Sequence, residues 1–145
     1  MIITSLIIVG AFLLFISLID IYTHKIPAFL TTAMIFVIVI VSLNNNLSFG
    51  MIRLSFGVLA LLFALMMYEL NFIGGIADIK AIVLIGVLIP SINYFIAFMM
   101  LIMVIGTIYK IIWKLKTKDA KHTEIPFIPV FFIVYLIMIL IGGVV

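Results

Sequence analysis

The sequence contains no cysteine and little charge. The missing cysteines exclude disulfide bonds, thiolate metal sites and cysteine nucleophiles. Only 9% of the 145 residues are charged and 68% are hydrophobic, whereas about 25% charged residues is typical of soluble domains. An ordinary soluble domain is therefore excluded, and the composition predicts an integral membrane protein.

The uncharged segments indicate how many helices the chain contains. Five long runs have no charged residue: Met1–Ile19, Ile26–Leu43, Leu54–Tyr68, Ala81–Tyr109 and Ile125–Val145. A helix that crosses the hydrocarbon needs about 20 residues, so the fourth run is too long for one upright helix. It contains Pro90, which removes a helical hydrogen bond, followed by the polar residues Ser91 and Asn93. We therefore expect an all-α integral membrane protein, a bundle of about six transmembrane helices forming one domain over residues 1–145.

The fourth helix is expected to be short, from about Ile79 to Ile89. At a rise of about 1.5 Å per residue it cannot cross the membrane alone. Either it extends back through Phe72, or it begins inside the membrane edge and is shielded by its neighbours. Both alternatives place Asp78 close to that edge.

The basic residues indicate the orientation of the bundle. Met1–Ile19 lacks the basic start and the cleavage site of a signal peptide, so we interpret it as a retained first helix. With the N-terminus outside, the cytoplasmic segments contain seven lysines: Lys25, Lys80, Lys110, Lys114, Lys116, Lys118 and Lys121. The outer segments contain only Arg53, beside the polar loop Asn44–Gly50. This positive-inside bias predicts a multi-pass protein of the cell membrane, with the lipid bilayer and not nucleic acid as the partner of its lysines.

Three of the five acidic residues are explained without a function. Asp119 lies in a lysine-rich polar stretch, where a solvated charge is ordinary. Glu69 and Glu124 lie at helix ends. Glu69 is explained as a carboxylate at the membrane boundary, and Glu124 by a favourable interaction with the positive N-terminal end of the last helix. His24 and His122 are interfacial and belong to no metal-ligand cluster, so we expect neither a metal nor a cofactor.

Asp20 and Asp78 are different, because each lies beside apolar sequence where a predicted helix meets the cytoplasm. A carboxylate at membrane depth is costly, and a functional role is the first hypothesis. The alternative is an ion pair at the membrane edge, of Asp78 with Lys80 or of Asp20 with Lys25.

The two aspartates form one site if the first and fourth helices pack together. Two close carboxylates do not both ionise easily, so such a pair shares one proton. One carboxylate can then take a proton from water while the other, protonated, polarises an amide carbonyl. Gly74 and Gly75, just upstream of Asp78, would let the backbone bend and let another chain approach closely. Ordinary small-residue packing is the alternative for these glycines.

Three short motifs resemble those of the type IV prepilin peptidases, including the archaeal preflagellin peptidases. Gly74–Lys80 (GGIADIK) resembles the Gly-x-Gly-Asp motif around their second aspartate, and Asp20–Pro27 (DIYTHKIP) resembles their first-aspartate motif. Ile125–Phe132 (IPFIPVFF) resembles the Pro-Phe-x-Pro segment that opens their last helix. The motifs occur in the family's order and span nearly the whole chain. Two positions depart from the pattern, since Ala77 replaces a glycine and Ala28 replaces an asparagine that many relatives have.

The resemblance implies an intramembrane aspartic endopeptidase with Asp20 and Asp78 as its catalytic pair. The resemblance implies a supporting role for Gly74, Gly75 and Lys80. It implies that Pro126 and Pro129 form a wall of the substrate groove. The implied substrates are prepilin-like or preflagellin-like precursors, cut after a glycine where a short basic leader meets an apolar helix at the cytoplasmic boundary. Bifunctional bacterial members also carry a cysteine-containing segment and methylate N-termini, so the cysteine-free chain resembles a peptidase-only member.

Two other classes of function are open at the level of sequence. A small proton-coupled transporter or channel also uses buried carboxylates and glycines, although both aspartates are expected at one edge and neither in mid-membrane. A non-catalytic assembly subunit is the second class. The sequence does not indicate an oligomeric state.

The lysine bias makes the orientation testable. We expect Asp119→Cys to react with a membrane-impermeant thiol reagent only from the cytoplasmic side, and Asn46→Cys only from outside. Labelling of intact cells is compared with labelling of inside-out vesicles, and the cysteine-free chain provides a clean background. Outside labelling at position 119 together with cytoplasmic labelling at position 46 would contradict the topology and detach both aspartates from the cytoplasm.

Overall fold

A computed structural model describes residues 2–43, 47–116 and 125–144 of the chain. Most of the lysine-rich stretch expected as a cytoplasmic loop, with Asp119, His122 and Glu124, lies outside the described residues, as do Asn44–Asn46.

The described residues form helices joined by short connections, and they contain no strand. The six helices are α1 (Ile2–Thr23), α2 (Ala28–Leu43), α3 (Leu47–Glu69), α4 (Ile76–Val87), α5 (Ile92–Lys116) and α6 (Ile128–Leu140). The predicted all-α class is confirmed, and the break expected at Pro90 falls between α4 and α5. Within the described residues, three helices are long and apolar enough to cross a membrane: the segments Leu6–Thr23, Met51–Glu69 and Ile92–Lys116.

α3 begins earlier than expected, at Leu47 rather than Leu54. The prediction of a polar outer loop over Asn44–Gly50 is therefore wrong for residues 47–50, which are helical. No proline interrupts this stretch, so the helix formed by the apolar residues that follow extends back through it. Arg53 consequently lies within α3, with only 3% of its surface exposed.

α4 is the central helix of the bundle. It begins at Ile76 and does not extend back to Phe72, so the first of the two sequence alternatives is wrong. Its 12 residues span about 18 Å, against about 30 Å for the hydrocarbon. It packs against α3, α2 and α6, and these neighbours bury most of its side chains. At its N-terminal end Asp78 is buried, whereas Ile76 has 68% of its surface exposed.

α1 and α4 do not pack together as their aspartates suggested. α1 packs mainly against α6, with a smaller contact to α2, and α4 shares these same two neighbours. The condition under which the two aspartates were expected to meet, direct packing of the first and fourth helices, is therefore not met. The reason is that α2 and α6 occupy the space between them, which leaves the ends of α1 and α4 facing each other across a gap.

Close packing of α3 on α4 gives a test of this arrangement. A methyl group on Gly86 would overlap Cβ of Ala60 and would lie 3.3 Å from the carbonyl oxygen of Phe56. We expect Gly86→Ala to lower the free energy of unfolding by about 1–3 kcal/mol, because overpacking forces the helices apart. The measurement is unfolding in detergent, with Val58→Leu as a control that adds one carbon on the exposed face of α3. Equal stability of the two variants would contradict the packing.

Candidate active site

Asp20 and Asp78 line the same cavity, of about 590 Å³, between the end of α1 and the starts of α2, α4 and α6. Each aspartate has 7% of its surface exposed. The two carboxylates are also close enough for their charges to interact. The predicted pairing of the two aspartates in one site thus has a geometrical basis, although a cavity rather than a helix–helix contact brings them together.

Asp78 is held by the loop that precedes its own helix, residues 70–75, here named the glycine loop. Its Oδ2 accepts hydrogen bonds from the backbone N–H groups of Gly74, at 3.1 Å, and Gly75, at 3.2 Å. Asp78 is the third residue of α4, where a carboxylate that bonds back to the N-cap residue stabilises the helix start. The glycines therefore act here as hydrogen-bond donors. A methyl group on Gly74 would meet nothing within 4 Å, so the space beside this glycine is open.

Asp20 is held by a different and distant part of the chain. Its Oδ2 accepts a hydrogen bond of 3.1 Å from the backbone N–H of Ile128. Ile128 is the first residue of α6, and residues 125–128 are here named the α6 start. Pro126 in this segment is buried and lines the cavity, whereas Pro129 lies inside the first turn of α6 and is not among the described residues that line it. The structure thus places Pro126, and not Pro129, on the cavity wall.

Lys80 lies on the cavity wall but bonds to another helix. Its Nζ donates a 3.0 Å hydrogen bond to Oγ1 of Thr31 on α2, and Thr31 also lines the cavity. Within the described part of the chain, Lys80 therefore does not form an ion pair with Asp78. That ion pair was one form of the alternative to a catalytic role. Lys80 instead connects the start of α4 to the start of α2.

His24 and Lys25 complete the basic side of the cavity. His24 follows α1 in the left-handed region, with a φ of 53°, and its N–H still bonds to the carbonyl oxygen of Asp20. Left-handed backbone is uncommon for residues other than glycine, and here it turns the chain sharply from α1 toward α2. His24 was expected to be an ordinary interfacial residue, and nothing in the sequence indicates this position on the cavity wall.

Lys110 on α5 is a second residue that sequence reasoning missed. Its Nζ donates a 3.0 Å hydrogen bond to the carbonyl oxygen of Asn71 in the glycine loop. The same ammonium lies 4.6 Å from the ring centre of Phe72 and 5.9 Å from that of Phe127. No motif marks Lys110, which reads in the sequence as one more lysine of the positive-inside pattern. Only the loop's folded path brings a carbonyl and two aromatic rings to it.

Comparison with known proteins identifies the family. A family model described as the type IV leader peptidase family matches residues 7–111, which is most of the chain and includes both aspartates. The chain belongs to this family. Membership confirms the resemblance seen in the motifs and implies an aspartic-type protease that acts on pilin-like precursors in general. No curated protein and no solved structure matches the chain.

The family match ends before α6. The contact between Asp20 and the α6 start therefore comes from the structure of this leader peptidase and not from the family comparison. The same holds for Pro126 on the cavity wall.

The contact between Lys80 and Thr31 can be tested by a double-mutant cycle. We expect Lys80→Met and Thr31→Val each to destabilise the protein. The double variant should lose about 1 kcal/mol less free energy of unfolding than the sum of the two single losses, because the single variants remove the same hydrogen bond. The measurement is the free energy of unfolding in detergent. Strictly additive effects would show that the two side chains do not interact, and would return Lys80 to the role of a membrane-edge anchor.

Proposed function

We propose that this leader peptidase is an intramembrane aspartic endopeptidase in which Asp20 and Asp78 are the catalytic pair. It removes the short basic leader of type IV pilin-like or archaellin-like precursors at the cytoplasmic membrane boundary. The observation that supports the proposal best is that both carboxylates line one cavity and interact electrostatically. Family membership supports the reaction class.

The proposed reaction uses one proton shared by the pair. The ionised carboxylate takes a proton from a water molecule, and the water oxygen bonds to the carbonyl carbon of the scissile amide. The protonated carboxylate donates a hydrogen bond to the carbonyl oxygen, which stabilises the tetrahedral intermediate. The carbon–nitrogen bond then breaks as the leaving nitrogen takes a proton from the pair.

Backbone hydrogen bonds suit the aspartates to this reaction. Both bonds to Asp78 reach Oδ2, and no hydrogen bond within the described residues reaches its Oδ1. That oxygen is available to a water molecule or to the substrate. Because the donors are backbone groups of defined position, the carboxylate is oriented without a flexible side chain to hold it, which is the value of preorganisation in a catalytic site.

The surroundings of the cavity match a cut beside a basic leader. Lys25 and Lys80 line one side of the cavity, so the leader's own cations are repelled from that side and stay in the cytoplasm, while the residues around the scissile bond enter. Residues 125–127 are not helical, and their backbone groups can pair with an extended substrate. Pro126 then forms part of the groove wall.

The remaining features of the proposal follow from the sequence. The lysine distribution supports six crossings, an outer N-terminus and a cytoplasmic position of both aspartates. The absence of cysteine supports a peptidase without N-methylation activity. Archaellin-like and pilin-like precursors are both included, because both present a basic leader before an apolar helix.

Helix capping is a sufficient explanation for each aspartate taken singly. Asp78 bonds to the start of α4, and Asp20 bonds to the start of α6. Capping does not explain why both carboxylates share one cavity, where their mutual repulsion is unfavourable. A transporter that uses the same carboxylates would require continuation of the polar path toward the other side, and the apolar residues after Asp78 in α4 are buried core.

Asparagine substitutions separate catalysis from capping. The amide oxygen of asparagine can still accept the backbone N–H bonds, but the side chain can neither take nor share a proton. We therefore expect Asp20→Asn and Asp78→Asn each to insert, fold and bind precursor while losing nearly all cleavage, and the double variant to be no worse than either single one. The measurement is cleavage of a purified precursor in detergent at matched protein level, with mass spectrometry of the product termini.

Asp119→Asn is the matched control, because it removes a carboxylate of the lysine-rich stretch, and it should retain near wild-type turnover. The new N-terminus should lie between the basic leader and the apolar helix. More than a few per cent of wild-type cleavage in either aspartate variant, or a cut many residues inside the apolar helix, would refute the proposed site.

A further inference from the structure

Gly106 and Lys110 lie one turn apart on the same face of α5, and are here named the α5 clamp. Neither residue lines the cavity that contains the aspartates. Lys110 instead lines a neighbouring cavity of about 420 Å³, whose wall includes Gly74 of the glycine loop and Phe127 of the α6 start. The clamp thus faces the two backbone segments that bind the aspartates, and Lys110 is also close enough to Asp78 for their charges to interact.

The glycine loop begins with a defined helix end. The N–H of Phe72 bonds to the carbonyl oxygen of Met67, and the N–H of Asn71 bonds to that of Tyr68. Together with a left-handed φ of 54° at Asn71, these bonds form a Schellman motif. The motif directs the Asn71 carbonyl outward, where Lys110 donates to it. Lys110 therefore holds the loop at Asn71, three residues before Gly74, the first residue whose N–H donates to Asp78.

The two segments also touch each other through aromatic rings. Phe72 of the glycine loop meets Phe127 of the α6 start edge-to-face, with ring centres 5.6 Å apart. A methyl group on Gly106 would lie 2.8 Å from Phe127 and 2.9 Å from Phe72, so both rings close over this glycine. The ammonium of Lys110 lies near both rings as well. One face of α5 therefore contacts the segment that binds Asp78 and the segment that binds Asp20.

We propose that the α5 clamp is a positioning device for the aspartate pair: by holding the glycine loop against the α6 start, it sets the relative placement of the two carboxylates. The inference rests on the proposed catalytic function. The glycine loop donates to Asp78 and the α6 start donates to Asp20, so a shift of one segment against the other moves one carboxylate relative to the other. Misplacement by about 1 Å costs on the order of 10²-fold in rate.

An ordinary membrane anchor would behave differently. A lysine that only snorkels to the headgroups is replaceable by a neighbour and has no effect on a distant backbone segment. Lys114, one turn further along α5, is exposed and provides the matched control for loss of a cation from the same helix.

The first experiment measures amide hydrogen exchange by mass spectrometry in detergent, which does not depend on cleavage. We expect Lys110→Met to speed exchange in both the glycine loop and the α6 start, with α1 and α4 unchanged. Lys110→Arg keeps a donor and a cation over the rings, and should restore protection. Lys114→Met should match wild type. Faster exchange in only one of the two segments, or none in either, would overturn the proposal.

The second experiment measures steady-state cleavage of a precursor. We expect kcat of Lys110→Met to fall by on the order of 10²-fold, with KM changed less than about threefold, because the pair is misplaced while the substrate contacts remain. Lys110→Arg should recover most of kcat. A wild-type kcat in Lys110→Met, or an equal loss in Lys114→Met, would refute the clamp while leaving the aspartate pair standing. Absence of cleavage by the wild-type protein would refute the proposed function instead, and the exchange experiment then still decides the structural part.

Gly106 provides a route that does not change charge. We expect Gly106→Ala to lower kcat and to speed amide exchange in both the glycine loop and the α6 start, because the methyl group pushes the two rings apart. Wild-type kcat together with wild-type exchange in Gly106→Ala would contradict the role of the ring contact. This variant keeps the proposal testable if Lys110→Met fails to fold.

Discussion

The burial of two carboxylates at one end of an apolar bundle is the constraint on which the rest of the structure depends. A buried carboxylate needs hydrogen-bond donors, because water is largely excluded. This chain supplies them from the backbone: the glycine loop donates to Asp78, and the α6 start donates to Asp20. Both donors lie where a helix begins, since the first N–H groups of a helix have no partner within it. The helix breaks at this end of the bundle are thus required by the aspartates.

The start of the short central helix meets the same requirement. α4 begins at Ile76, so Asp78 lies in its first turn, next to the N–H groups of Gly74 and Gly75 that bind its carboxylate. The cavity lies beside this first turn. Its walls come from segments that are not adjacent in sequence, so it could not be derived from any single motif.

Much of the architecture was predictable. The uncharged runs and Pro90 correctly predicted the helices and the break between α4 and α5, because apolar length and proline act locally. Asp20 and Asp78 were recognisable because a carboxylate in such a sequence is costly. The start of α3 was placed too late, at Leu54 instead of Leu47, and the neighbours of α1 and α4 were left open, because neighbour choice and exact helix starts depend on the packing of the whole bundle. The roles of the glycines as donors also depend on the folded path of their loop.

The sequence by itself determined the membrane class, the number of helices, the two unusual carboxylates and the motifs shared with the leader peptidase family. Only the tertiary structure decided which groups hold those carboxylates. Asp20 is bound by the N–H of Ile128, a group 108 residues away, and Lys110 is bound to the carbonyl of Asn71. The physical reason is that backbone N–H and carbonyl groups are the same in nearly every residue. No side-chain pattern can mark them, and the fold alone selects which of them reaches a buried charge.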